Sequence, residues 1–138
     1  MTVPEAASHG KTLVIELMGL LTRGEIEGAL TLMADDGLWW IGGKPNLFPL
    51  AGNKSKAEMR AILNELIVPM PNGLRMTVKS LIAEDDRIAA EIESYGEAGN
   101  GCIYNNDYHF LFTIRDGKFI EIKEYLDTMH VQAVFLNP

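Results

Sequence analysis

One cysteine in 138 residues, Cys102, leaves no partner for an internal disulfide and argues against a thiolate-built metal site. Histidine is nearly as scarce: His9, His109 and His130 show no HxxxH or HxH spacing, so no metal is expected. Basic charge is short too. With 12 Lys and Arg against 19 Asp and Glu, the formal net charge is -7, and no basic run occurs, so no nucleic-acid partner is expected. No apolar run approaches the roughly 18 residues that a membrane span needs. The opening stretch, MTVPEAASHGKTLVIELMGLL, is broken by Glu16 and lacks the basic start and cleavage site of a signal peptide. A soluble cytoplasmic protein is expected. Neither GxGxxG nor GxxxxGK[ST] occurs, which removes the usual dinucleotide and P-loop signals, and no cofactor is expected.

What is present suits one domain over residues 1–138, with 47% hydrophobic content to fill a core. Leu13, Leu17 and Leu21 recur at four-residue spacing beside Val14 and Met18, which predicts an amphipathic helix over 7–22 that Gly24 ends. A second helix over 25–33 carries Ile26, Leu30 and Met33, before Asp35-Asp36-Gly37 turns the chain. Trp39 and Trp40 are neighbours in a short strand over 38–41, so one indole meets the core. Residues 42–54 read as a loop over a hydrophobic opening. Ser55 and Glu58 have capping-box spacing at the head of a third helix ending near Pro69. Beyond Gly73, four strands are predicted over 75–83, 88–95, 104–114 and 119–127. Helices followed by a meander indicate an α+β fold: a curved antiparallel sheet wrapped as a cone around three N-terminal helices, its wide end open as a cavity. The apolar segment 129–136 could close part of the mouth or meet a second subunit.

The hairpin YNNDYHFLFTIRDGKFIEIKEYLDT, residues 104–128, carries polar groups where a core would be apolar. A two-residue Asp-Gly turn would pair Phe112 with Glu121 and Phe110 with Lys123. A three-residue loop with Gly117 left-handed is therefore expected, setting Tyr108 opposite Glu124. Asn106, Tyr108, Phe110, Glu124 and Leu126 then share one face. Glu124, between Ile122 and Leu126, is the candidate acid or base, because desolvation raises a carboxyl's pKa. Tyr108 could donate to a developing oxyanion, and Asn106 could orient a ligand oxygen. A register slip of one residue would instead turn His109 and Asp127 inward. Glu91 and Glu93 alternate with Ala90 and Ile92, which by itself describes a solvated face.

The element order, with "YNNDYHF", "RDGKF" and "IKEYLDT", resembles the nuclear-transport-factor-2-like superfamily, in particular its SnoaL-like small enzymes and the relatives of limonene-epoxide hydrolase and ketosteroid isomerase. The resemblance implies that Glu124 and Glu93 stand at the two acids of the epoxide-hydrolase pattern. It sets Glu91 where that pattern has Arg, and Trp39 and Ile41 where it holds water with Tyr and Asn. In the isomerase pattern Tyr108 alone keeps a suitable donor. The resemblance further implies a ligand lining of Tyr95, Trp39, Met18, Leu21, Phe110, Leu126 and Glu91. It places Asp107, His109, Lys123, Tyr125 and Asp127 on the opposite face, where a homodimer contact is expected. Together these readings point to acid–base chemistry of lyase or isomerase type on a small hydrophobic cyclic or aromatic molecule, with catalytic candidates Glu124, Tyr108, Glu93 and Asn106. A carrier for a lipophilic ligand is the alternative.

Overall fold

The structure, a computed structural model, describes residues 3–138. Helix α1 (Val3–Thr22) buries Leu13, Val14, Leu17, Met18 and Leu21, one stripe at helical spacing, against the sheet. It lies close: a Cβ at Gly10 would stand 2.5 Å from Ile88 Cδ1, so the absent side chain lets the backbone approach. After α2 (Ile26–Thr31), strand β1 (Met33–Ile41) is longer than the predicted 38–41. Asp35-Asp36-Gly37 does not end an element but bulges within it, and the register against the neighbouring strand shifts between Met33 and Leu38. Trp39 points into the core at 2% exposure while Trp40 stays on the outer face against Tyr125, as their adjacency requires.

Strand β2 (Gly52–Lys54), which the sequence did not announce, pairs antiparallel with β1. Helix α3 (Lys56–Ile67) begins with the expected reciprocal cap: Glu58 N–H donates to Ser55 Oγ at 3.1 Å, and Ser55 N–H donates to Glu58 Oε1 at 3.0 Å. The meander follows as β3 (Arg75–Glu84), β4 (Arg87–Glu97), β5 (Ile103–Tyr104), β6 (Asp107–Arg115) and β7 (Lys118–Leu126). Along the sheet the order is β2-β1-β7-β6-β4-β3, with β5 beside β4. The sheet is curved and unclosed, and its one parallel pair, β1 with β7, departs from an all-antiparallel plan. This is the α+β cone expected from the sequence. Among the described residues, no helix is long and apolar enough to cross a membrane.

The hairpin differs from expectation in an informative way. Arg115 pairs with Lys118 across a two-residue Asp116-Gly117 turn in which both residues have positive φ, 53° and 77°. That turn alone would put Glu121 opposite Phe112. The chain inserts Ile120 as an extra residue instead, so Ile114 pairs with Phe119 but Thr113 pairs with Glu121. Beyond this bulge Phe112 meets Ile122, Phe110 meets Glu124 and Tyr108 meets Leu126. Tyr108 is therefore not opposite Glu124, yet the predicted faces survive, because the total shift is an even number of residues. His109 and Asp127 accordingly stay off the interior, with Asp127 capping the next helix.

Helix α4 (Thr128–Val131) and a π-helical turn (Gln132–Leu136) finish the chain across the wide end of the cone. Asp127 Oδ1 accepts from His130 N–H at 3.2 Å, and Asn100 Nδ2 donates to Val134 O at 2.8 Å. Gln132 Nε2 donates to Leu47 O at 3.4 Å, and Asn105 N–H donates to His130 Nε2 at 3.0 Å. Val131 and Phe135 of this segment line the interior cavity, so it covers part of the mouth.

Candidate active site

The cone encloses a cavity of about 80 Å³, walled by the sheet, by the inner stripe of α3, and by Val131 and Phe135 of the C-terminal segment. Its walls are almost wholly apolar. Met59, Met70 and Met76 are among them, unbranched thioethers that shift rotamer to fit an occupant. Of the expected ligand-lining residues, Trp39, Leu21, Phe110 and Leu126 are on the wall, together with Tyr108 and Glu124.

Glu124 reaches this space because inward positions on β7 alternate as Ile122, Glu124 and Leu126. Trp39, one inward position back on the adjacent β1, donates its Nε1–H to Glu124 Oε1 at 2.9 Å. Among the described residues, no side chain or backbone donor reaches Oε2. That oxygen retains accessible surface, and Glu124 is one of the residues that line the cavity. Desolvation among apolar neighbours pushes the carboxyl up from 4.5 to about 7, with the Trp39 bond opposing part of the rise. Glu124 is partly buried and stands on a wall that is almost wholly apolar, the setting in which a carboxylate is poorly solvated.

Beside the carboxyl lies a buried polar cluster. Tyr104 and Tyr108 hydroxyls are 2.7 Å apart, Tyr108 donates to Ser94 Oγ at 3.0 Å, and Asn106 Nδ2 donates to the Tyr104 hydroxyl at 3.0 Å. Burial, reinforced by the nearby Glu124 charge, holds both phenols neutral well above their usual range. Asn106 is fully occupied. Its second Nδ2 proton goes to Asp127 O at 3.1 Å and its Oδ1 accepts from Asp127 N–H at 3.1 Å, tying the β7 end to the sheet. It stands behind Tyr104 rather than on the cavity wall.

Several expected site residues lie elsewhere. Inward positions on β4 are Ile88, Ala90, Ile92 and Ser94, so Glu91, Glu93 and Tyr95 face outward, as plain alternation indicated and the family pattern did not. Glu91 accepts from Ser80 Oγ at 2.8 Å, Glu93 accepts from Asn105 Nδ2 at 2.9 Å, and Tyr95 lies under the Arg75 guanidinium at 5.6 Å. The acid pair of the epoxide-hydrolase pattern is thus not assembled. Met18 is 1% exposed but packs in the core between α1 and the sheet, off the cavity wall. Tyr104 and Ser94 were missed as site residues. The signal for Ser94 was its place at the end of the Ile88, Ala90, Ile92 alternation. Among the described residues no cluster of three His, Cys, Asp or Glu could hold a metal ion.

A SnoaL-like domain model matches residues 14–122. UPF0523 protein C of Dictyostelium discoideum is 30% identical over 105 residues, a match that covers 72% of this chain and 65% of that protein, so the chain spans just under two thirds of that relative's length. Bal32a, from a soil-derived mobile gene cassette, superposes with a TM-score of 0.80 at 16% identity, over 94% of this chain and 98% of that one. An NTF2-like protein of unknown function from Burkholderia pseudomallei K96243 gives 0.76 at 18% identity, over 91% and 96%. At such identities the structures share a fold and nothing narrower. The match begins within α1 and ends inside β7 at Ile122, short of Glu124, Leu126 and the C-terminal cover, and the chain belongs to the SnoaL-like domain family.

Proposed function

We propose that this protein is a cofactor-independent enzyme that takes a small hydrophobic, cyclic or aromatic molecule into the cone and moves a proton on it, in a reaction of lyase or isomerase type. The observation that carries the reading is the Glu124 carboxyl on the cavity wall, oriented by Trp39 through one oxygen, without a donor on the other among the described residues, and raised to about 7. A group so poised takes a proton from one atom and returns it to another. With Glu93 on the outer face, no second carboxylate assists, which favours a double-bond shift, or an elimination, dehydration or retro-aldol-type cleavage in which one residue serves as both base and acid. Leu21, Trp39, Phe110 and Leu126 hold the apolar body of the ligand. Tyr108 and Asn106 act as positioning residues through Tyr104.

The test is mass-spectrometric product profiling in deuterated water with cyclic enones, cyclic alcohols and phenols, run beside Glu124→Gln. The variant should lose turnover by about 100-fold or more while keeping ligand affinity within about tenfold. Unchanged turnover would make Glu124 structural. A second reading, a carrier without chemistry, is favoured by the apolar walls, and saturable binding with no turnover in either protein would select it. We further propose a homodimer through the outer sheet face, where Leu38, Ile82, Tyr95 and Tyr125 are exposed large side chains.

A further inference from the structure

Among the described residues, Glu124 has no counter-ion. No Lys, Arg or His lines the cavity, and Glu124 takes part in none of the ion pairs. Two influences set its titration, burial and the Trp39 bond, and no neighbouring cation is among them. Lys123, the preceding residue on β7, stands on the outer face at 5.6 Å from the Trp40 ring. The other titratable groups on the wall, the Tyr104 and Tyr108 phenols, are held neutral by burial. His130 of the cover stacks on the Tyr104 ring at 5.4 Å and is off the wall. Around the lone carboxyl the wall supplies six rings, those of Trp39, Phe48, Tyr104, Tyr108, Phe110 and Phe135.

We infer, on the reading that this cavity is the ligand site, that it takes a hydrophobic amine in preference to the neutral molecule of the same shape, the ammonium against the Glu124 carboxylate and the cyclic or aromatic body among the rings. Burying an ion pair costs several kcal/mol per ion, and the balance turns on which ion is already inside. Here the anion's share is present before a ligand arrives, which is why the carboxyl keeps its proton up to about 7. An ammonium supplies the missing charge together with a donor for the oxygen that has none. The rings add cation–π attraction. A neutral alcohol supplies the donor alone, and the added charge corresponds to about tenfold or more in affinity, the lower end of what close charge pairs give. The formal net charge of -7 also draws cations toward the protein.

The experiment compares cyclohexylamine with cyclohexanol and benzylamine with benzyl alcohol, by calorimetric titration of the wild type and Glu124→Gln at pH 6 and pH 8.5. Alkyl amines stay largely protonated across that range, as lysine does. At pH 8.5 the wild type should bind each amine about tenfold or more tightly than its alcohol, and the alcohol should compete with the amine for one site. At pH 6 Glu124 holds most of its proton, and amine binding must expel it. Affinity for the amine should then be about tenfold lower than at pH 8.5, and buffers of different ionisation enthalpy should register close to one proton released. An amine on an exposed carboxylate, ionised at both pH values, would release none. Glu124→Gln should lose both the amine preference and its pH dependence. Amines bound no better than their alcohols by the wild type, or a preference that Glu124→Gln leaves unchanged, overturn the inference. Saturable binding of the alcohols alone overturns it too, while keeping the cavity as the ligand site. Failure of all four compounds to saturate removes the reading of the site itself, and the inference with it.

Discussion

At pH 6 Glu124 still holds most of its proton, because desolvation has raised its carboxyl from 4.5 to about 7. The consequence for stability has a definite sign. Between those two values the folded state binds more protons than the unfolded chain, so the contribution of this residue is full below about pH 4.5 and is lost as pH rises through 7. The loss is on the order of 3 kcal/mol by the usual conversion of a pKa shift. Denaturant midpoints measured from pH 5 to 8.5 should therefore fall more steeply for the wild type than for Glu124→Gln, whose amide does not titrate. Parallel profiles would mean that the carboxyl is not desolvated. Glu124 was legible in the sequence because a charge between Ile122 and Leu126 breaks an otherwise apolar face. Glu91 and Glu93 were legible too, as outward residues alternating with Ala90 and Ile92, and went astray only where the family pattern was given precedence over the alternation. Ser94 could be placed inward by the same alternation, but the hydrogen bonds joining it to Tyr108, and Tyr108 to Tyr104, were not legible, since they depend on a three-strand neighbourhood that no local spacing encodes.

Among elements, the β6–β7 hairpin shows how much local chemistry decides and where it stops. Asp-Gly demanded a two-residue turn with both residues at positive φ, and it received one. The hydrophobic pattern demanded Phe112 opposite an apolar residue, and extruding Ile120 satisfied both demands. Sequence reasoning weighed the two as rivals because a bulge leaves no composition signal of its own. Gly117 carries a φ of 77°, and a Cβ there would meet nothing within 4 Å, so the cost of a side chain is confined to the backbone. Gly117→Ala should destabilise the fold by about 1 kcal/mol without changing ligand affinity; denaturant titration beside ligand titration checks both. The capping box of α3 was readable because it is local, spanning Ser55 to Glu58. The parallel β1–β7 pairing was not, because partners such as Trp39 and Ile122 are joined only across α3 and the whole meander.

For the whole molecule, the curved sheet separates two surfaces with different duties. Its concave side carries Trp39, Phe110 and Glu124, and its convex side carries Trp40 against Tyr125 at 5.0 Å, with Lys123 at 5.6 Å from the Trp40 ring. If two copies join through that convex side, light scattering should give a dimer mass for the wild type and a monomer mass for Trp40→Glu, while the cavity binds its ligand unchanged. A wild-type monomer at high concentration would reject the pairing.

The cover over the mouth has a kinetic meaning. Val131 and Phe135 are wall residues, and their segment is anchored to the rest of the fold by a few side-chain hydrogen bonds, from Asn100, from Gln132 and through His130. Each such bond contributes about 1 kcal/mol, and the segment also buries Val131 and Val134 and packs Phe135 against Tyr104, apolar contacts that contribute roughly 1.5–3 kcal/mol per side chain. For a ligand held in the cavity, residence time then depends on those bonds and on the packing of Val131, Val134 and Phe135, and substitutions there would tune it without touching the sheet that holds Glu124.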